Sequence, residues 1–235
     1  MIPGEECGMR NVECGMWNVE CGMANPVKRG GIRAFAFVRS RVCGIITHSS
    51  FPFPMLNDVE RILFHEQTIL SRLDELAREI TEAYRGKELT VVAVLNGSLI
   101  FAADLLRRIP LPLKLDCLSV ASYHGGTESS GAVTFKQLHT PDVDGRHVLV
   151  IDDILDSGRT LHAICARLRK EARPASVRVC VLLRKRIARA EELEADFVGF
   201  DIGQEFVIGY GLDYQEEYRN LPFVGVLKQE VFASG

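Results

Sequence analysis

No run of the 235-residue sequence approaches the roughly 18 consecutive apolar residues of a bilayer-crossing helix, so none is expected. No CxxC pair occurs among the seven cysteines, and their odd total argues against a disulfide framework or a zinc site. Basic charge is not in excess either: 28 Lys+Arg against 31 Asp+Glu give a net charge of −3. Residues 55–235 alone carry 22 basic and 27 acidic side chains, a net −5, which argues against nucleic acid or a membrane surface as partner. With 20 Gly and 9 Pro the chain is neither collagen-like nor of low complexity, and 47% hydrophobic residues suffice for a full α/β core. Cys117, Cys165 and Cys180 stand singly within apolar segments and are expected to be buried thiols of a reduced, cytoplasmic protein.

The first 54 residues differ in character from the rest. Residues 6–25 repeat every seven residues as Glu6-Cys-Gly-Met, Glu13-Cys-Gly-Met and Glu20-Cys-Gly-Met. Three units are too few for a coiled coil, and each carries a glycine that costs a helix about 1 kcal/mol. Thiols spaced by seven also do not suit chelation by a compact loop. Ile32 to Pro54 lacks the apolar stretch and small-residue cleavage site of a secretory signal. Residues 1–54 are therefore expected to be a disordered extension or a mis-assigned start, with Met55 as the initiator, and residues 55–235 to be the folded domain.

In that domain Ile69, Leu73, Leu76, Ile80 and Ala83 keep helical spacing, which predicts a helix over 66–84. Thr90–Leu95 reads as a buried strand ending at Asn96-Gly97, followed by a helix over 98–108 that stops before Pro110. Further strands are predicted over 113–121, 132–138, 147–151, 177–183, 197–201, 206–210 and 224–227, with a helix over 160–170. The second of these is expected to form an antiparallel hairpin with the first. Strand and helix alternate through the middle, so the fold class is α/β, with a parallel sheet covered on both faces.

The segment with chemical content is Val148-Leu-Val-Ile-Asp152-Asp153-Ile-Leu-Asp156-Ser157-Gly158-Arg159-Thr160. A buried strand runs into two carboxylates, and a turn of small and polar residues then opens a helix. Amides of residues 157–160 at the helix start attract an anion, and the Ser157 and Thr160 hydroxyls add donors suited to a phosphate monoester. The adjacent acids Asp152 and Asp153 suit the hydroxyls of a vicinal diol. Capping the helix would need one such residue, not three acids within five positions. The segment describes a sugar-phosphate cradle at the carboxyl end of a parallel strand, where open α/β sheets bind ligands.

On these residues the domain resembles a purine phosphoribosyltransferase of the hypoxanthine-guanine type over nearly its whole length. The resemblance implies the type I phosphoribosyltransferase fold: a mainly parallel central sheet flanked by helices, with a small base-binding hood. It implies that Asp152, Asp153, Ser157, Gly158, Arg159 and Thr160 bind the phosphoribosyl group of phosphoribosyl pyrophosphate, and that Asp156 handles a proton near N7 of the base. Lys185, in Leu182-Leu-Arg-Lys-Arg186, matches the lysine that donates to the 6-oxo group. In Phe206-Val207-Ile-Gly-Tyr-Gly-Leu-Asp213, Phe206 matches the ring that stacks on the purine and the Val207 main chain the group that bonds its edge. Asp213, with Asp152 and Asp153, resembles the acids linked to magnesium, and Arg219 the arginine on pyrophosphate. Asn96 and Gly97 fall in the pyrophosphate loop, where many members have Lys or Arg in place of Asn96. Ser122-Tyr123 resembles the lid over the reacting sugar.

The reaction implied is transfer of the 5-phosphoribosyl group to hypoxanthine or guanine in purine salvage, with Mg2+ as cofactor. Lys185 would face the amino group of adenine, which should therefore be a poor substrate. A homodimer or homotetramer is expected from the resemblance. A xanthine-preferring transferase is the nearest alternative. An RNA-binding regulator of the pyrimidine-attenuator type is opposed by the charge of −5 and by Asp156, and an inactive interaction protein by the presence of every expected acid.

Overall fold

A computed structural model describes residues 54–122, 133–135, 141–187 and 193–232. The expectations for residues 1–53 and for the lid residue Tyr123 lie outside them. After a short 3-10 turn, Pro54–Asp58, the elements are β1 (Val59–Phe64), α1 (Glu66–Tyr84), β2 (Leu89–Leu95), α2 (Leu99–Leu106), β3 (Leu113–Ser122) and β4 (Val133–Phe135). They continue with β5 (His147–Leu155), α3 (Arg159–Ala172), β6 (Ser176–Lys185), β7 (Phe197–Ile202), β8 (Val207–Ile208), β9 (Val224–Leu227) and α4 (Gln229–Phe232).

The six-stranded sheet has the order β4-β3-β2-β5-β6-β7. Its five strands from β3 to β7 are parallel, and β4 pairs antiparallel on β3, as the hairpin reading predicts. The apolar runs in β2 and β5 are continuous because each face of the sheet is covered. Val91, Ala93, Leu149 and Ile151 pack with α1 and α2, whereas Val92, Val94, Val148 and Val150 pack with Leu161, Ile164, Cys165 and Leu168 of α3. Each fully buried Leu or Ile contributes about 1.5–3 kcal/mol relative to exposure. The predicted helix 66–84 forms at those limits, with Ala77 and Tyr84 buried on the inward stripe and Ala83 only partly covered. No helix among the described residues is long and apolar enough to cross a membrane.

A second sheet, β1-β9-β8, is antiparallel and forms the hood, with Ile208, Tyr218, Leu221, Phe223 and Leu227 as its small core. Sequence patterning misses β1 because register shifts between Val59 and Arg61 and between Ile62 and Phe64 break the period-two alternation. The strand predicted over 206–210 shrinks to Val207–Ile208, since Gly209 at φ +92° turns the chain away. Cys165 and Cys180 are buried free thiols, burial pushing Cys165 up to about 11. Cys117 is half-buried, not buried as expected.

Arg72 of α1 secures the edge strand β7: its Nε donates to the Gly199 carbonyl (3.0 Å) and its Nη2 to the Val198 carbonyl (2.8 Å). Glu75 and Glu79 hold the remaining nitrogen. Arg72→Ala removes both donors, and urea unfolding should show a loss of about 1–3 kcal/mol. An unchanged midpoint would mean that water replaces the guanidinium without cost.

Candidate active site

The carboxyl ends of β2, β5 and β6 lie side by side, so the loops that leave them share one edge of the sheet. Asp152 and Asp153 are the sixth and seventh residues of β5, inside the strand, which runs on to Leu155 beyond its predicted end. Asp152 is buried and Asp153 half-buried. The Asp153 amide donates to Asp152 Oδ1 (3.0 Å) and the Ile154 amide to Asp153 Oδ1 (2.8 Å). Burial pushes the Asp152 carboxyl well up and the charge of Asp153 adds to this. Asp153 is also raised by burial, against the opposing hydrogen bonds and the cation of Arg219, with Asp213 raising it further.

Past the strand, Gly158 takes a left-handed conformation (φ 80°) as the N-cap of α3, which begins at Arg159, one residue before the predicted start. No side chain caps this helix end, an arrangement in which first-turn amides can receive an anion. Ser157 and Arg159 are exposed and Thr160 half-buried around it. Asp156 is half-buried and its Oδ2 accepts from Lys185 Nζ, the last residue of β6, at 2.7 Å. The structure thus joins the two residues that the resemblance assigned to the base edge. Arg184 and Arg186 bind instead to Asp201 of β7, whose carboxyl they hold far below the usual range. This clamp on either side of Lys185 was not foreseen.

The Leu95–Asn96 peptide is cis, and Asn96 is exposed. A Cβ on Gly97 would lie 1.8 Å from Asp153 Oδ2, so the loop main chain rests directly on that carboxylate. Gly211, at φ +104°, sits on the other side: its Cβ would lie 2.1 Å from the Gly97 carbonyl oxygen. Arg219 donates from Nη1 to the Gly211 carbonyl (2.8 Å) and pairs through Nη2 with Asp213 Oδ1 (2.9 Å). Asp213 Oδ2 accepts from the Glu216 amide (2.9 Å). These contacts bring Gly97, Asp153, Asp213 and Arg219 to one mouth.

Phe206 is 41% exposed, its ring edge-on to Tyr214 with centroids 5.6 Å apart. The Phe206 carbonyl accepts from the Leu227 amide (3.0 Å), and Val207 is buried in register with Val226. Ser122 ends β3 opposite Val133; its side chain lies outside the described residues. Among the described residues no three His, Cys, Asp or Glu side chains converge as a metal cage. The acids at this mouth offer only carboxylate oxygens, and two of them are raised by burial. That set fits a hard cation such as magnesium, which binds one or two carboxylates and completes its shell with substrate phosphate oxygens. Sequence reading also passed over Tyr210, whose hydroxyl donates to Asp104 Oδ2 of α2 at 2.6 Å. A large aromatic residue between Gly209 and Gly211 was the available signal, since a buried tyrosine needs a partner for its hydroxyl.

A mainly parallel central sheet, an uncapped helix start beside two acids and a separate small sheet together define the class of protein. The phosphoribosyl transferase domain matches residues 60–215, and the chain belongs to that family. Within it, the chain is 44% identical to the hypoxanthine-guanine phosphoribosyltransferase of Streptococcus pneumoniae over 178 residues, 76% of this chain and 98% of that protein. It is 46% identical over 179 residues to the bifunctional protein TilS/HprT of Listeria monocytogenes, 76% of this chain and 28% of that longer protein. The solved hypoxanthine phosphoribosyltransferase from Staphylococcus aureus superimposes with a TM-score of 0.72 at 42% identity, covering 77% of this chain and 98% of that one.

The contact of Gly211 with the Gly97 carbonyl gives a direct test of hood packing. Gly211→Ala combines steric overlap with a backbone conformation costly for L-residues, and should lower stability by about 2–4 kcal/mol. Thermal unfolding followed by circular dichroism reads this as a Tm drop of several degrees; an unchanged Tm would mean that the hood does not rest on this loop.

Proposed function

We propose that the protein transfers the 5-phosphoribosyl group of phosphoribosyl pyrophosphate to hypoxanthine or guanine, forming IMP or GMP and pyrophosphate in purine salvage. The observation that carries this reading is the Lys185–Asp156 pair beside the sugar-phosphate cradle. It offers one donor and one acceptor to the base edge next to the groups suited to ribose and phosphate. The free thiols Cys117, Cys165 and Cys180 support a cytoplasmic setting.

In this mechanism the first-turn amides of α3, with the Ser157 and Thr160 hydroxyls, hold the 5-phosphate, and Asp152 and Asp153 accept from the ribose hydroxyls. The Gly97 loop and Arg219 hold the pyrophosphate. Phe206 stacks on the purine, the Val207 main chain bonds its edge, and Lys185 donates to the 6-oxo group. The bond from C1 of the sugar to the pyrophosphate oxygen breaks as the ring nitrogen N9 forms its bond to C1. Asp156 takes the proton that leaves N7, so the product base is neutral. The carboxylates of Asp152, Asp153 and Asp213, one or two at a time, would hold magnesium, which would supply positive charge to offset that of the departing pyrophosphate. Arg219 adds a fixed cation at the same place.

Two experiments test the reading. Residues 55–235, assayed with magnesium and phosphoribosyl pyrophosphate, should convert hypoxanthine and guanine, with adenine poorer by a factor of up to about 10⁴. Turnover of uracil alone, or of nothing, would sink the proposal and bring RNA binding forward. Asp156→Asn, which keeps shape and removes the proton acceptor, should cut kcat about 10²–10⁴-fold with donor affinity retained. Lys185→Ala should reduce use of 6-oxopurines without weakening the donor. Parallel losses in base and donor would instead indicate a folding defect.

A further inference from the structure

Tyr210 is buried at 2% exposure and is a non-glycine residue in the left-handed region, φ 52°. It stands in the turn that leaves β8, between the segment carrying Phe206 and the segment carrying Asp213 and Arg219. Its hydroxyl crosses from the hood to the core and donates to Asp104 Oδ2 at 2.6 Å. Asp104 is itself held: Arg107 bonds its other carboxylate oxygen, and Arg108 donates to its carbonyl (2.7 Å) while also reaching Asp74 of α1 (2.9 Å). Asp104 lies on α2, the helix that opens just after the Gly97 loop. The Tyr210 amide donates to the Leu221 carbonyl (2.9 Å), and the next amide, Gly211, to the Arg219 carbonyl (2.9 Å). The residue beside Tyr210 is therefore the one that rests on the Gly97 carbonyl and accepts from Arg219.

We propose that the Tyr210–Asp104 hydrogen bond is a tether fixing the hood turn over the Gly97 loop, which makes Tyr210 and Asp104 positioning residues for the pyrophosphate end of the donor. The purine side is anchored independently. Lys185 is set by β6 and Asp156, and Phe206 by its carbonyl bond to Leu227 on the far side of the Gly209 turn. Loss of the tether consequently displaces Arg219 and Asp213 relative to Asp153 and leaves the base contacts in place.

The inference rests on the function proposed above, and its test separates the two. Tyr210→Phe keeps the ring and deletes the hydroxyl; Asp104→Leu deletes the acceptor; Asp104→Asn keeps an acceptor oxygen. KM for both substrates is measured on the full chain, with calorimetric Kd for phosphoribosyl pyrophosphate in magnesium. In Tyr210→Phe and Asp104→Leu the donor KM and Kd should rise about tenfold with hypoxanthine KM within about twofold of the parent, Asp104→Asn should recover most of the loss, and the double variant should be no worse than either single. Donor constants that stay unchanged, or that rise together with hypoxanthine KM, overturn the tether. So does a fall in Tm as the sole effect. A parent that binds donor but forms no nucleotide overturns the function while the Kd series still decides the tether. A parent that binds no donor overturns both.

Discussion

Desolvated carboxylates at the end of the central strand are the constraint around which the rest is arranged. Asp152 and Asp153 sit at the end of an apolar run, where burial opposes their charge. A sheet tolerates this only where amides and cations answer it, and here the Asp153 and Ile154 amides and Arg219 do so. The same constraint explains why residue 97 has no side chain: the loop main chain occupies the space beside the Asp153 carboxylate. The hood then closes on the loop through Gly211, so three segments distant in sequence meet at one carboxylate.

The sheet serves this arrangement by its two-faced core. Residues alternate along β2 and β5 between the α1/α2 layer and the α3 layer, which leaves the polar groups to the loops at the strand ends. Once β5 is fixed between β2 and β6, the Asn96-Gly97 loop, the acids and Lys185 share one edge. Pairing of Ile154 with Leu183 and Leu155 with Arg184 puts the end of β6 within a side chain's reach of Asp156.

Much of this was legible because it is local. The run from Val148 to Thr160 contains strand, acids, turn and helix start in consecutive residues, so its chemistry can be read without knowing what packs against it. The helix over 66–84 was equally readable from its apolar spacing. What escaped was non-local or irregular. The Lys185–Asp156 bond spans 29 residues and depends on strand register, and the Tyr210–Asp104 bond spans 106. β1 escaped because its register shifts erase the alternation by which strands are recognised, and the strand at 206–210 was overcalled because a turn at Gly209 cuts an apolar run short.

The ion pair between Lys185 and Asp156 has an electrostatic consequence of its own. A lysine alone in a part-covered cleft is a trap for small anions, which abound in any cell and which a neutral heterocycle would have to displace. Asp156 against Lys185 cancels that monopole and leaves a short dipole. Beyond a few ångströms such a dipole attracts phosphate or chloride only weakly, yet it still offers one hydrogen-bond donor and one acceptor at contact range. Asp213 offsets the charge of Arg219 at the Gly97 mouth in the same way. In the reaction proposed above, an uncharged base would therefore meet little competition from small anions at this pair.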